Sequence, residues 1–176
     1  MSAIASLEHV ETERLVCLRP TLDHDVRIVA LVRDPRVART LSPTGEPPSE
    51  YEVVANLLGK QAHWDRYGFG LWAVFDRASG AFLGRGGLQH TAVTGSDEVE
   101  VGWAIVPERW GEGLATELAL ASVDAGFETL ALGHLIAYTR PDNVASRRVM
   151  EKAGFSYERE LEHAVCPHVL YRRRRC

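Results

Sequence analysis

The spacing of apolar residues along the chain changes period several times, and each change marks an element. Residues 14–19, Arg-Leu-Val-Cys-Leu-Arg, form a short apolar run that stops at Pro20 and read as a strand. From residue 22 to 32 the apolar positions Val26, Val29 and Ala30 recur at helical spacing, with Asp23 placed to cap. The stretch Ser42-Pro43-Thr44-Gly45-Glu46-Pro47-Pro48 is turn chemistry, too short for an interdomain linker. Ser49 and Glu52 after it have the spacing of a capping box, ahead of the stripe Val53, Val54, Leu57 and Leu58. The first third is therefore expected as strand, helix, helix.

The middle of the chain reads as β. Residues 71–75, 82–89 and 98–106 read as three strands joined by short turns, the first turn being Arg77-Ala78-Ser79-Gly80, and they predict an antiparallel meander. Beyond Pro107 the period returns to helical, with Leu114, Leu118, Ala121 and Ala125 on one face. A strand over 135–138, a helix over 143–152 that stops at Gly154, and short strands over 155–158 and 165–171 complete the pattern. The order βαα, βββ, αβ, αββ predicts a single α/β (α+β) domain spanning 1–176. Its sheet is expected to be mixed and mostly antiparallel, with about four helices and frayed ends near 1–9 and 172–176.

Composition narrows the class. The 176 residues carry 20 Lys and Arg against 24 Asp and Glu, a net charge of −4, with 45% hydrophobic residues, which excludes intrinsic disorder and disulfide-rich scaffolds. No apolar run approaches the ~20 residues of a membrane span, and residues 1–9 lack the pattern of a signal peptide. Cys17, Cys166 and Cys176 show no CxxC spacing, which points to a reducing compartment and a cytoplasmic location. The net charge gives no electrostatic argument for nucleic acid, and the run Arg172 to Arg175 reads as a solvated tail. His163-Ala164-Val165-Cys166-Pro167-His168 is the one His/Cys cluster. On one continuous strand His163 would point away from Cys166 and His168, so no metal site is expected. No Gly-x-Ser-x-Gly elbow or papain-type cysteine occurs, which argues against hydrolysis by a triad.

The segment Ile105-Val106-Pro107-Glu108-Arg109-Trp110-Gly111-Glu112-Gly113-Leu114-Ala115-Thr116 carries the chemistry. A strand ends there and a helix starts among small residues, so unpaired amides and the positive end of the helix dipole face open space and suit a phosphate or pyrophosphate. A plain turn would use the same glycines. The Walker pattern fails because Gly59-Lys60 is followed by Gln61, and the dinucleotide fingerprint fails because Thr116 stands where its third glycine would be. Gly84-Arg85-Gly86-Gly87 sits inside the meander and reads as close backbone packing.

These residues resemble the acyl-CoA loop of the GNAT superfamily of N-acetyltransferases. Asn143-Val144-Ala145-Ser146 and Glu151-Lys152-Ala153-Gly154-Phe155 are similar to the second signature of its ribosomal-protein-alanine (Rim-type) branch. Thr12-Glu13-Arg14-Leu15, Gly70-Leu71-Trp72-Ala73-Val74, Gly84-Arg85-Gly86-Gly87-Leu88 and His168-Val169-Leu170-Tyr171 extend the likeness over nearly the whole chain. The resemblance implies acetyl-CoA as co-substrate with no metal, an amine acceptor that is a protein N-terminus or a small molecule, and a GNAT-like sheet whose central strands splay for the cofactor.

It also implies roles. Ile105, Val106, Trp110, Gly111, Gly113, Ala115, Thr116 and Asn143 would bind the cofactor, the amide near Ile105 stabilising the oxyanion. Glu112 replaces the usual cation of the loop. Glu100, in Glu100-Val101-Gly102-Trp103, would be the general base. Met150 occupies the position of the Tyr that many relatives use as acid, leaving Ser146 as the proton donor; Asn143 could cap the helix, bind cofactor or do both. Trp64, Tyr67 and Phe69 could line an acceptor pocket or belong to the core. A silent acyl-CoA-binding or regulatory module is the alternative function. The acceptor and the oligomeric state, a homodimer included, stay open.

Overall fold

The computed structural model describes residues 7–175. Eight strands, β1 (His9–Glu11), β2 (Leu15–Leu18), β3 (Leu71–Asp76), β4 (Phe82–Thr91), β5 (Glu98–Ile105), β6 (His134–Thr139), β7 (Ser156–His163) and β8 (Cys166–Arg174), form one sheet in the order β1-β2-β3-β4-β5-β6-β8-β7. Every neighbouring pair is antiparallel except β5 and β6, which run parallel. Five α-helices, α1 (Leu22–Arg33), α2 (Pro35–Leu41), α3 (Glu50–Tyr67), α4 (Leu114–Asp124) and α5 (Val144–Lys152), cover the two faces.

Alternation along β5 shows how the faces are divided. Val99, Val101 and Ile105 join Leu114, Leu118 and Val123 of α4 and Met150 of α5 in the larger core. Glu98, Glu100, Gly102 and Ala104 point the other way, toward the side where Ile28 and Val32 of α1 and Val53 and Leu57 of α3 pack on Ala73 and Phe75. The glycines of β4 set the spacing between layers. A Cβ built on Gly86 would stand 2.6 Å from Leu118 Cδ2 and 2.7 Å from the Gly102 carbonyl, so only glycine lets α4 lie this close.

Local chemistry explains the helix bounds. Ser49 caps α3 as its spacing indicates: its amide donates to Glu52 Oε2 at 2.8 Å and the Glu52 amide donates to Ser49 Oγ at 3.3 Å. The cap of α1 is Thr21 and not Asp23; its amide donates to His24 Nδ1 at 3.2 Å. α2 was not expected. Asp34 caps it, accepting from the Arg36 amide at 2.9 Å, and Pro35 occupies the first helical position, where its missing N–H costs nothing. The segment after Pro107 opens as a short 3₁₀ turn before α4, and the helix ends in a π-turn over Ala125–Thr129.

The expected frayed ends need correction where the structure describes them; residues 1–6 and Cys176 lie outside the described residues. β1 begins at His9, and the Leu7 carbonyl accepts from Trp72 Nε1 at 2.7 Å. At the other end Arg172 to Arg174 belong to β8. Arg172 is no solvated tail: with a side chain 13% exposed, it pairs with Glu98 Oε1 at 3.0 Å and Glu158 Oε2 at 2.5 Å. His134 Nε2 also lies 2.6 Å from Glu98 Oε2. Burial alone would raise the Glu98 carboxyl, but hydrogen bonds from Arg172 and His134 outweigh it and hold the group below its ordinary value.

Replacing Arg172 with Met strands a buried carboxylate and should cost about 3 kcal/mol, lowering Tm by roughly 6–12 °C. Arg174→Met, on an exposed residue of the same strand, should stay within about 0.5 kcal/mol. Thermal unfolding of the two variants side by side checks this, and equal losses would contradict it.

Candidate active site

The site begins where two strands part. β5 pairs with β4 along its whole length, from Gly84↔Ile105 to Thr91↔Glu98, yet its register with β6 contains a single pair, Glu100↔Ile136. Beyond Glu100 the β6-facing edge of β5 is unpaired. The Val106 amide donates to the Leu83 carbonyl at 2.8 Å, so by alternation the amides of Trp103 and Ile105 face the opening toward β6. Val106 differs from the other candidates for cofactor contact: its amide is spent on Leu83, and its carbonyl accepts from Arg109 N at 3.0 Å.

At the end of this opening stands the start of α4. Gly113 is its N-cap with φ of +81°, and Gly111 has φ of +82°, both in the region that glycine favours. A Cβ on Gly111 would meet nothing within 4 Å, so the turn faces open space. The first helical bond comes from Glu117 N to the Gly113 carbonyl at 3.1 Å, leaving the amides of Leu114, Ala115 and Thr116 without an intrahelical acceptor. Trp110 Nε1 donates to the Ile105 carbonyl at 2.7 Å and closes the strand end. Glu112 does not oppose an anion here, because Arg109 Nε donates to both of its oxygens at 2.8 Å.

The first turn of α4 is anchored from the turn between β1 and β2. Glu117 accepts from Thr12 Oγ1 at 2.6 Å, from the Arg14 amide at 2.8 Å and from Arg14 Nε at 2.7 Å. Burial would raise the Glu117 carboxyl, but those bonds more than offset it and hold it below its ordinary 4.5. An open groove of about 380 Å³ runs alongside, lined by residues that include Arg14, Gly113, Thr116 and Lys152.

Glu100 sits at the branch point and is 7% exposed. Gln89, directly opposite on β4, donates through Nε2 to Glu100 Oε1 and accepts from Lys60 Nζ of α3, which fixes the orientation of the amide. Glu100 Oε2 is buried without a hydrogen-bond partner. On the same face of β5, two residues on, a Cβ on Gly102 would meet nothing within 4 Å, so open space lies over Gly102. Burial first, and then the Glu100 carboxylate, push the Tyr138 phenol above its ordinary value. A buried carboxylate with one oxygen held and one bare is equipped to take a proton from a group entering that space.

Asn143 and Ser146 approach from the opposite face, on α5. Asn143 caps the helix: its Oδ1 accepts from the Ser146 amide at 3.2 Å, and its Nδ2 donates to Thr139 Oγ1 and to Ser146 Oγ, both at 3.0 Å. The cap thus ties α5 to the end of β6 and fixes the Ser146 hydroxyl. The sequence alone did not single out Lys60, Gln89, Arg85 or Tyr138. The signal for Gln89 was present, since an antiparallel turn that pairs the meander strands places it opposite Glu100.

One expectation changes, the orientation of His163, and the aromatics left open between pocket and core are placed, Trp64 and Phe69 in the core. His163 and Cys166 are cross-strand partners on either side of a turn with positive φ at Ala164 and Val165, so His163 does not point away from His168. Their rings lie 5.5 Å apart, and Tyr138 packs against both. Among the described residues no group of three or more side chains is placed to hold a metal ion. Trp64 is core, with its Nε1 donating to the Leu71 carbonyl at 3.0 Å, while Tyr67 and Phe69 stack on His63 and His90.

A mostly antiparallel sheet that opens between two parallel neighbours, with a glycine-flanked helix start at the opening, defines an acyltransferase fold. The chain belongs to the acetyltransferase (GNAT) domain family, which it matches over residues 14–156. It is 34% identical over 108 residues to the uncharacterized protein YkkB of Bacillus subtilis, covering 61% of this chain and 63% of that one. It is 31% identical over 161 residues to FsC-acetyl coenzyme A-N(2)-transacetylase of Aspergillus fumigatus, covering 84% of this chain and 65% of that one. The chain thus spans just under two thirds of each of these relatives. The ribosomal-protein-S5-alanine acetyltransferase of Vibrio fischeri shares the fold with a TM-score of 0.70 at 17% identity, over 94% and 96% of the two chains. Among the described residues no helix is long and apolar enough to cross a membrane.

Glu117→Gln should cost about 1.5–3 kcal/mol at pH 7. Because the folded carboxyl lies below 4.5, the wild-type advantage is present above that value and disappears as pH falls through the lowered one. Denaturant midpoints of both proteins from pH 7 to pH 3 measure it; a gap that stays constant would contradict the assignment.

Proposed function

We propose that the chain transfers the acetyl group of acetyl-CoA to the nitrogen of a primary amine by direct attack in a ternary complex. The observation that carries this reading is the bare, buried Oε2 of Glu100, at the point where β5 and β6 part, two residues before the open space over Gly102. The co-substrate fits the rest of the opening. The free amides of Leu114, Ala115 and Thr116 would receive the pyrophosphate, with Gly111 and Gly113 permitting close approach and Trp110 shaping the strand end. The amides of Trp103 and Ile105 face the course of the pantetheine arm, and that of Ile105 would support the oxyanion. Val106, with its main-chain groups occupied, offers only its side chain.

Proton balance assigns the remaining roles. An α-amine of pKa near 7.7–8.0 is roughly 10% neutral at pH 7, and a lysine amine about 0.04%. As the nitrogen bonds to the thioester carbon and the C–S bond breaks, Glu100 Oε2 takes the amine proton. The hydroxyl of Ser146, held by Asn143, passes a proton to the departing thiolate and takes one in turn from solvent water. A ternary complex follows because, among the described residues, no activated nucleophile stands at the opening: Cys17 is buried, and its thiol is pushed up to about 12 by burial and then by Glu117.

Glu100→Gln should lower kcat about 10²- to 10⁴-fold while the Kd for acetyl-CoA stays within about twofold. Thiol release and calorimetry measure the two quantities. Full activity in that variant, or loss of acetyl-CoA binding with it, would refute the role of Glu100.

A further inference from the structure

Arg85 lies on β4 between glycines, opposite Ala73 on β3 and Ala104 on β5, on the face that carries Glu100. Those neighbours, and Gly102 diagonally across, have side chains that accept no hydrogen bond. Among the described residues its half-buried guanidinium makes no hydrogen bond and no ion pair. Burial pulls it down to about 10, and Glu100 is the carboxylate whose field opposes that. Arg85 is also near enough to Lys60 to help push the lysine below its ordinary value, after burial itself.

The other charges around this site have partners, although Oδ1 of Asp25 is buried without one. Lys60 donates to Gln89, Glu98 is held by Arg172 and His134, and Asp25 of α1 accepts from Gln61 at 3.0 Å. Two cations, Lys60 and Arg85, therefore act on the Glu100 carboxylate. A rigid fork of five N–H donors, partly removed from water and without an acceptor, is unfavourable unless a ligand supplies oxygens. The same charges repel a polycationic amine.

We propose that the acceptor is a small amine with a carboxylate close to its nitrogen, amino-acid-like, whose carboxylate is gripped by Arg85 while its amine meets Glu100. This rests on the N-acetyltransfer reading above. Arg85 orients the acceptor by a charge-assisted, two-point contact that a lysine reproduces only in charge.

Thiol release from acetyl-CoA should be compared across amino acids, their carboxamides, the matching decarboxylated amines and a polyamine. The acids should exceed their carboxamides in kcat/KM by about 10- to 100-fold. Arg85→Met should remove that preference by raising KM for the acids far more than for the carboxamides, with the Kd for acetyl-CoA within about twofold; Arg85→Lys should restore part of it. Equal use of acid and carboxamide, or better use of the polyamine, overturns the proposal and leaves acetyl transfer standing. Calorimetry of the same acids against the coenzyme A complex reads the contact without turnover. Arg85-dependent binding with no thiol release would refute the activity and keep the acceptor class, while absence of any carboxylate preference in binding overturns the proposal.

Discussion

The single pairing of Glu100 with Ile136 is the constraint on which the rest depends. A parallel pair that continued to Ile105 would satisfy the amides of Trp103 and Ile105 and close the sheet. Because it stops, main-chain donors stay available in the middle of a folded domain, where unpaired groups are otherwise costly. The flanking elements hold the parting open. β4 pairs with the full length of β5, β8 with the full length of β6, and α4 and α5 bury their apolar faces beneath both.

The two ends of the opening are fixed independently. At one end Glu117 gathers three donors from Thr12 and Arg14, so the helix start is registered against the turn between β1 and β2 at the far side of the sheet. At the other end Asn143 joins α5 to Thr139 of β6. Donor groups for an anion, a base and a hydroxyl therefore come from separate elements whose relative positions are set by backbone pairing and caps rather than by mobile loops. Such preorganisation is what a transfer between two bound substrates requires.

Much of this was legible in the residue order, for definite reasons. The apolar runs of β3, β4 and β5 between turn residues, the Ser49–Glu52 box and the glycines before α4 are local signals, and the structure shows each of these elements. α2 was missed although Asp34-Pro35 carries a start signal, because seven residues give too short a stripe to show a period. The arginine run was misread because a strand paired on both sides buries charges that look solvated in isolation: Arg172 is compensated by Glu98, 74 residues away. The Lys60–Gln89–Glu100 relay joins α3, β4 and β5, and no single stretch of sequence holds all three. His163 was misplaced because one continuous strand was assumed where the chain turns at Ala164.

The glycine at position 86 acts as a spacer of fixed thickness between β4 and α4. The Leu118 side chain of α4 rests on the bare strand there while the Gly102 carbonyl of β5 closes the other side, so an added methyl group would press on the helix through Leu118 and on the neighbouring strand's backbone at once, and the helix axis depends on that fit. The same axis carries the amides at its tip. The depth of a packing contact in the interior is thereby transmitted to the mouth of the opening, and the reach from diphosphate to carboxylate becomes a property of the scaffold, insensitive to what happens on the surface.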